Sequence, residues 1–204
     1  MDFTLCNYYK AYIVKCFSCH SFSLKVFCKN CQETLLIPTP TMRTMGTLDV
    51  VSFYKYSNIE NILLTKHTPQ GFRIFKALAK LTTRPFIEEF IKNDPREIYV
   101  IGIDEIVKNG YSHVALLTHA MNIKGVNIAH NSLIAQNRVT YAGKSLQYRI
   151  DNPRNFKYNG KKDIDVILVD DIITTGGTLQ QALSILVSHG VNILFAITLA
   201  DAQE

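Results

Sequence analysis

An α/β fold with a largely parallel sheet, preceded by a small N-terminal module, is what this sequence predicts. Three observations predict it. From about residue 47 onward, short β-branched runs alternate with segments of helical periodicity. DVILVD (165–170) reads as a strand buried on both faces, and it runs into a glycine-rich loop and then a helical pattern. Four of the five cysteines fall between Cys16 and Cys31, apart from that alternation.

The bulk numbers agree with a folded protein. A chain of 204 residues can bury one good core, or one domain plus a small module. With 47% hydrophobic and 19% charged residues and no low-complexity run, the composition excludes disorder. A net charge of +5, from 22 basic and 17 acidic residues, permits phosphate partners without demanding them. No run approaches the ~18 apolar residues of a membrane-spanning helix. MDFTLCNYYKAY lacks the basic-then-apolar order of a signal peptide, so a cytoplasmic protein is expected.

Along the chain, the N-terminal module is expected over residues 1–41 and the α/β domain over 42–204. FSLKVF (22–27) alternates like a short strand. IPTPT (37–41) is a linker, because two prolines remove backbone donors. VVSFYKY (50–56) reads as a strand. SNIENILLTKH follows with Ser57 as N-cap and Glu60 at capping-box spacing. GFRIFKALAKL (71–81) and RPFIEEFIKN (84–93) have helical periodicity, which Asp94-Pro95 ends. REIYVIGID (96–104) is a strand, SHVALLTHAM (112–121) a helix and VNIAHNSLI (126–134) another strand. Residues 137–162 are polar and basic with no clear period, the mark of a long functional loop. A strand ending at Val169, a helix from Thr178 and the strand NILFAITLA (192–200) complete the domain. On the last helix Leu179, Ala182, Leu183, Leu186 and Val187 share one face.

The cysteines form C-x-x-C, eight residues, then C-x-x-C. Each C-x-x-C turn sets two thiolates on one side of a tight knuckle, and two knuckles close a tetrahedral zinc site. Cys16, Cys19, Cys28 and Cys31 are therefore the expected ligands of a structural zinc. Four thiolates fill such a site, which makes the adjacent His20 a bystander. Around them, Lys10, Lys15, Lys25 and Lys29 face only Asp2 in residues 1–32, and Tyr8, Tyr9, Tyr12, Phe17, Phe22 and Phe27 are interleaved. Lysine holds phosphate and aromatic faces stack bases. The alternative is that the aromatics form the finger's own core and the lysines solvate it.

VILVDDIITTGGT (166–178) carries the chemistry. Thr174, Thr175 and Thr178 offer hydroxyl donors. Gly176 and Gly177 bring backbone N–H groups close to a ligand, and a helix start adds partial positive charge. No lysine follows the glycines, so this is not the nucleotide P-loop. Asp170 and Asp171, side by side, repel unless hydroxyls or a divalent cation lie between them. A sugar phosphate with bound magnesium meets both needs.

All thirteen positions resemble the ribose-phosphate motif of type I phosphoribosyltransferases. The resemblance implies 5-phosphoribosyl 1-pyrophosphate with magnesium as ligand, Asp170 and Asp171 on the ribose hydroxyls as the catalytic acids, and Thr174, Thr175, Gly176, Gly177 and Thr178 around the 5-phosphate. Together with the four-cysteine module, the chain looks like the ComF family, competence proteins F, most closely the ComFC type. FYKYSNIENILLTKHT resembles that family's strand, apolar helix and lysine, which points to Lys66. NGYSHVALLTHAM is similar to its glycine–aromatic–Asn–Gln segment. SLQYRIDNPRNFKY resembles a loop with arginine, asparagine and phenylalanine, here Arg149, Asn152 or Asn155, and Phe156. One segment departs from the family: Ile103, Asp104 and Glu105 occupy the expected pyrophosphate loop, with Lys108 the nearest cation. Without pre-placed donors for the leaving pyrophosphate, ligand binding is better founded than turnover.

The resemblance implies a DNA-uptake factor of natural transformation. It would bind single-stranded DNA through Lys10, Lys15, Lys25, Lys29, Tyr9, Lys66 and Arg149, and phosphoribosyl pyrophosphate through the α/β domain. A DNA-uptake helicase or membrane-channel partner would bring it to the inner membrane without insertion. Two other functions fit the residues. One is an active phosphoribosyltransferase with an amine or base acceptor. The other is an interaction module whose α/β domain is a retired enzyme.

Overall fold

The computed structural model describes residues 15–103, 107, 110–137, 139 and 145–203. The chain divides into two compact units, Met1–Ile37 and Pro38–Glu204. Among the described residues no helix is long and apolar enough to cross a membrane.

Among the described residues the smaller unit holds two cysteine turns and one short helix, α1 (Lys29–Thr34). Residues 22–27 do not form the expected strand: Phe22 makes an isolated bridge to Lys15, and the chain bends from Leu24 to Phe27. The cause is local. Ser23 Oγ donates to the Lys25 carbonyl at 2.9 Å and accepts from the Lys25 N–H at 3.1 Å, which competes with extended pairing. Phe27, Leu36, Cys16 and Cys31 are its buried apolar residues among those described.

The larger unit is a six-stranded sheet in the order β1-β2-β8-β7-β3-β4. Its strands are β1 (Thr41–Met45), β2 (Leu48–Lys55), β3 (Ile98–Gly102), β4 (Val126–Ile128), β7 (Asp165–Ile173) and β8 (Asn192–Asp201). All neighbours are parallel except the β1–β2 hairpin. Pro38–Thr41, expected in the linker, belong to this unit, and the Thr39 N–H donates to the Phe53 carbonyl beside β2. β1 has no counterpart in the sequence reading. It exists because Gly46, at φ +61, turns the chain back so that Thr41–Met45 zip onto β2.

Helices α2 (Tyr56–Leu63), α3 (Pro69–Leu81), α4 (Thr83–Asn93) and α5 (His113–Ala120) follow the expected segments, with the 3-10 turn Leu64–His67 between α2 and α3. Ser57 lies inside α2 rather than capping it; Lys55 holds the cap position without a side-chain bond. Side-chain caps of the kind Ser57 lacks start α3 and α5, Thr68 accepting from the Gly71 N–H and Ser112 from the Ala115 N–H. The face of α4 meets the sheet through Phe86 and Phe90 against Phe195.

On the opposite face lies α7 (Gly177–Ser188). Val166 and Leu168 of β7 share a core with Leu179, Ala182 and Leu186 of that helix. Leu183 is only partly buried, and Val187, expected on the same face, is exposed. The segment 126–134 is two strands: β4 ends at Ile128, Asn131 takes φ +54, and β5 (Leu133–Ala135) leaves for a second sheet. There it pairs antiparallel with β6 (Phe156–Tyr158), inside the stretch expected to be loop. α6 (Leu146–Asp151), capped by Ser145, lies in that stretch too.

Candidate functional site

The site gathers at the carboxyl ends of β7, β3 and β8, where ligands of parallel α/β sheets bind. β7 does not stop at Val169. It runs through both aspartates to Ile173, with Asp170 opposite Thr198 and Ile173 opposite Asp201 on β8. The Ile103 N–H donates to the Val169 carbonyl at 2.8 Å, so the segment after β3 departs beside Asp170. Asp104, Glu105 and Lys108 lie outside the described residues.

Strand pleat resolves the repulsion expected between Asp170 and Asp171. Successive strand side chains point to opposite faces. Asp170 follows Val166 and Leu168 towards the α7 layer, and Asp171 emerges on the α5 layer. Both are buried, at 8% and 5% exposure. Asp170 Oδ1 accepts from the Asp171 N–H at 2.8 Å.

Asp171 has two partners from distant elements. Lys66 Nζ donates to Asp171 Oδ2 at 2.8 Å, and His113 Nε2 stands 3.1 Å from the same oxygen. Burial works against the charge on Asp171, but the His113 imidazole and the Lys66 ammonium overcome it and hold the carboxyl well below the usual carboxylate range. Lys66, expected on a nucleic-acid surface, is thus placed on the motif's second acid.

The elements behind Lys66 are tightly fixed. The Tyr111 hydroxyl stands 2.7 Å from the Lys66 carbonyl and 2.9 Å from the Thr68 carbonyl. Gly71 permits this approach, because a Cβ there would lie 2.2 Å from both the Thr65 carbonyl oxygen and the Tyr111 hydroxyl. His113 sits edge-on to Phe75 and His67.

The loop that follows is shaped by Gly176, which adopts φ +78 and starts α7 at Gly177. First-turn N–H groups of a helix have no intrahelical acceptor, so they are donors for an anion. Thr175 and Gly177 are exposed, and Thr174 and Thr178 are half-buried. Arg43 of β1 fixes the base of the loop: its guanidinium donates to the Thr174 carbonyl at 2.9 Å, pairs with Asp201 at 3.2 Å and reaches Gln203. Chemically the arrangement offers an anion cradle beside two carboxylates that face different layers.

In the smaller unit the sulfurs of Cys16, Cys19, Cys28 and Cys31 all lie within 4.8 Å of one another. The Cys28 N–H points to Cys16 Sγ at 3.3 Å, and the Cys31 N–H to Cys28 Sγ at 3.4 Å. Hydrogen bonds from Ser21 bring the exposed Cys19 thiol down to about 6, whereas burial and the other sulfurs push Cys31 up to about 12. Four crowded sulfurs receiving backbone N–H groups form a donor set compatible with structural zinc, whose charge would hold all four as thiolates. His20 is not in the cluster; its N–H closes the first turn on the Cys16 carbonyl. Lys15, Lys25 and Lys29 are exposed, and Lys29 pairs loosely with Glu33. Phe22 is 76% exposed, while Phe27 is buried. Tyr8, Tyr9, Lys10 and Tyr12 lie outside the described residues. Arg149 falls on α6, and its side chain lies outside them too.

Sequence reasoning missed Arg43, Tyr111 and His113. The Gly110-Tyr111 pair before a helix was the available signal for Tyr111. Arg43 and His113 had none, because their partners are far away along the chain.

Residues 143–204 match the family model for the phosphoribosyl transferase domain. The chain is similar to the adenine phosphoribosyltransferase of Dichelobacter nodosus, with 27% identity over 92 residues. That match takes in 45% of this chain and spans about half, 52%, of the relative. Among solved structures it is similar to a hypoxanthine phosphoribosyltransferase from Staphylococcus aureus, at 17% identity and a TM-score of 0.40, covering 62% of this chain and 64% of that one. It is also similar to an adenine phosphoribosyltransferase from Saccharomyces cerevisiae, at 19% identity and a TM-score of 0.40, covering 84% and 87%.

Proposed function

We infer that the phosphoribosyltransferase-type domain this chain carries binds 5-phosphoribosyl 1-pyrophosphate with magnesium, and that the four-cysteine unit is a zinc finger that holds single-stranded DNA. The observation that carries the first part is the anion cradle of Thr174–Thr178 directly after two buried carboxylates at the sheet's carboxyl edge. The 5-phosphate would take the α7 N-terminus and the threonine hydroxyls. Asp170 would take the ribose diol, with Asp171, on the α5 layer, kept in its pair with Lys66. Magnesium would supply charge to the pyrophosphate. Single-stranded DNA binding is supported by Phe22, an exposed aromatic face among the exposed Lys15, Lys25 and Lys29. With the resemblance to competence proteins F, the pair of activities reads as a cytoplasmic factor in DNA uptake.

Transfer of ribose 5-phosphate to an amine or base is the second reading, supported by the similarity to an adenine phosphoribosyltransferase. In that reaction the acceptor nitrogen bonds to the anomeric carbon as the C–O bond to pyrophosphate breaks, and Asp170 steadies the positive charge that develops on the ribose.

Calorimetry with phosphoribosyl pyrophosphate and magnesium, on native protein and on Asp170→Ala/Asp171→Ala, tests the first part. Heat of binding from the native protein alone is the expected result, and equal binding by the double variant overturns it. Pyrophosphate release that requires both an acceptor and Asp170 establishes turnover.

A further inference from the structure

We propose that Arg43 is a positioning residue for the phosphate cradle: its guanidinium holds the Thr174 carbonyl on the β1 side of the loop and so aims the Thr175 N–H at the 5-phosphate. The proposal rests on the reading of this loop as one that takes ribose 5-phosphate.

One face of β1 is given over to the loop. Arg43 and Met45 stand two positions apart and so share a face, which is half-buried, whereas Met42 and Thr44 on the other are exposed. Both reach the segment after β7: Met45 lies at Gly176, and Arg43 donates to the Thr174 carbonyl at 2.9 Å. The guanidinium is itself anchored. It pairs with Asp201 at 3.2 Å and reaches Gln203, whose N–H returns to Asp201 at 2.8 Å. The Ala202 N–H donates to the Ile173 carbonyl at 2.9 Å, which ties this chain end to β7. With its donors turned to protein acceptors, Arg43 acts through the loop and not on the ligand.

The direction of one carbonyl decides what its peptide offers an anion. In a planar trans peptide the C=O and the following N–H point in opposite directions. No cis bond occurs among the described residues, so holding the Thr174 carbonyl towards Arg43 turns the Thr175 N–H away from β1. Thr175 is exposed and lies between the end of β7 at Ile173 and the start of α7, so its N–H belongs to neither ladder. Released from Arg43, this peptide can rotate and set a carbonyl oxygen against the phosphate in place of a donor. The Gly177 N–H has no such dependence, because α7 itself fixes it.

Amide NMR of the full chain, titrated with ribose 5-phosphate in magnesium buffer, reads the two N–H groups separately. Native protein, Arg43→Met and the double variant Arg43→Met/Asp201→Asn are compared. The double variant removes the ion pair at constant net charge and leaves no uncompensated carboxylate. In native protein the Thr175 and Gly177 amide protons should both move downfield on binding. In both variants Gly177 should still move and Thr175 should not, with ribose 5-phosphate bound about tenfold more weakly. A Thr175 signal that responds in the variants as it does in native protein overturns the proposal, and so does unchanged affinity. Native affinity in the double variant alone also overturns it, because the loss in Arg43→Met would then be one of charge and not of orientation. Loss of both responses in the variants, or a double variant that does not fold, places Arg43 in general stability and overturns it too. A native protein in which Gly177 moves and Thr175 does not overturns the proposal and leaves the site reading intact. If native protein shows no response at either amide, the site reading falls and the proposal with it.

Discussion

Met45 of β1 lies over Gly176 at the turn into α7: a Cβ built on Gly176 would stand 1.8 Å from Met45 Cε and 2.3 Å from its Sδ. Two constraints therefore meet at one glycine, and they differ in strength. The methionine is flexible and can rotate away. The backbone at φ +78 cannot change without moving the loop. Gly176→Ala should lower stability by about 1–2 kcal/mol and weaken phosphoribosyl pyrophosphate binding. Adding Met45→Ala should restore little of either. Full recovery in the double variant, by thermal melting and calorimetry, would show that contact rather than backbone conformation sets the requirement.

Asp171 sets an acid limit on the larger unit. Its carboxyl is held well below the ordinary value of 3.8, chiefly by His113 and Lys66 acting against burial. A depressed carboxyl contributes stability above its unfolded-state value and loses it as pH falls towards the folded-state value. The contribution should be complete above about pH 5 and fade steadily below about pH 4. Asp171→Asn should be less stable than native at neutral pH and approach it in acid. Melting temperatures from pH 7 to pH 3 check this, and parallel curves for the two proteins count against it.

The parallel strands could be read from the sequence because burial on both faces demands the β-branched apolar runs that β3, β7 and β8 contain. β1 could not, since TMRTM is an edge strand with mostly exposed side chains, and it forms only when Gly46 folds it onto β2. The aspartate–threonine–glycine loop was readable because all its parts are consecutive. Its supports were not. Lys66 stands 105 positions from Asp171, and Arg43 stands 131 from Thr174. Local pattern carries no information about which loop will deliver a cation to a given carboxylate. The same limit made the aspartate pair look like a repulsion problem, which pleat geometry had already solved.

Zinc should decide whether the smaller unit exists as a fold. Among the described residues its buried apolar side chains are Phe27, Leu36, Cys16 and Cys31, two of them ligands of the expected zinc. One zinc per chain is expected by elemental analysis. Chelation or Cys31→Ser should expose Lys25 and Lys29 to trypsin while the Pro38–Glu204 unit resists. Equal trypsin resistance with and without metal would sink the zinc assignment.

Single-stranded DNA binding makes separate demands on Phe22 and Lys25. Phe22 is 76% exposed, so replacing it removes almost no core packing. Phe22→Ala should leave the melting temperature unchanged yet weaken oligonucleotide binding by about 1–3 kcal/mol, the worth of one stacked base. Lys25, also exposed, would act through phosphate. Lys25→Ala should reduce the slope of log affinity against log salt by about 0.7, since each neutralised phosphate of a single strand releases that fraction of a counterion. Phe22→Ala should leave that slope alone, because stacking releases no ions. Fluorescence anisotropy of a labelled oligonucleotide at several salt concentrations measures both effects. Stacking and phosphate contact are separated only if the two variants differ in this way; a common loss of affinity at constant slope would place the DNA elsewhere on the chain.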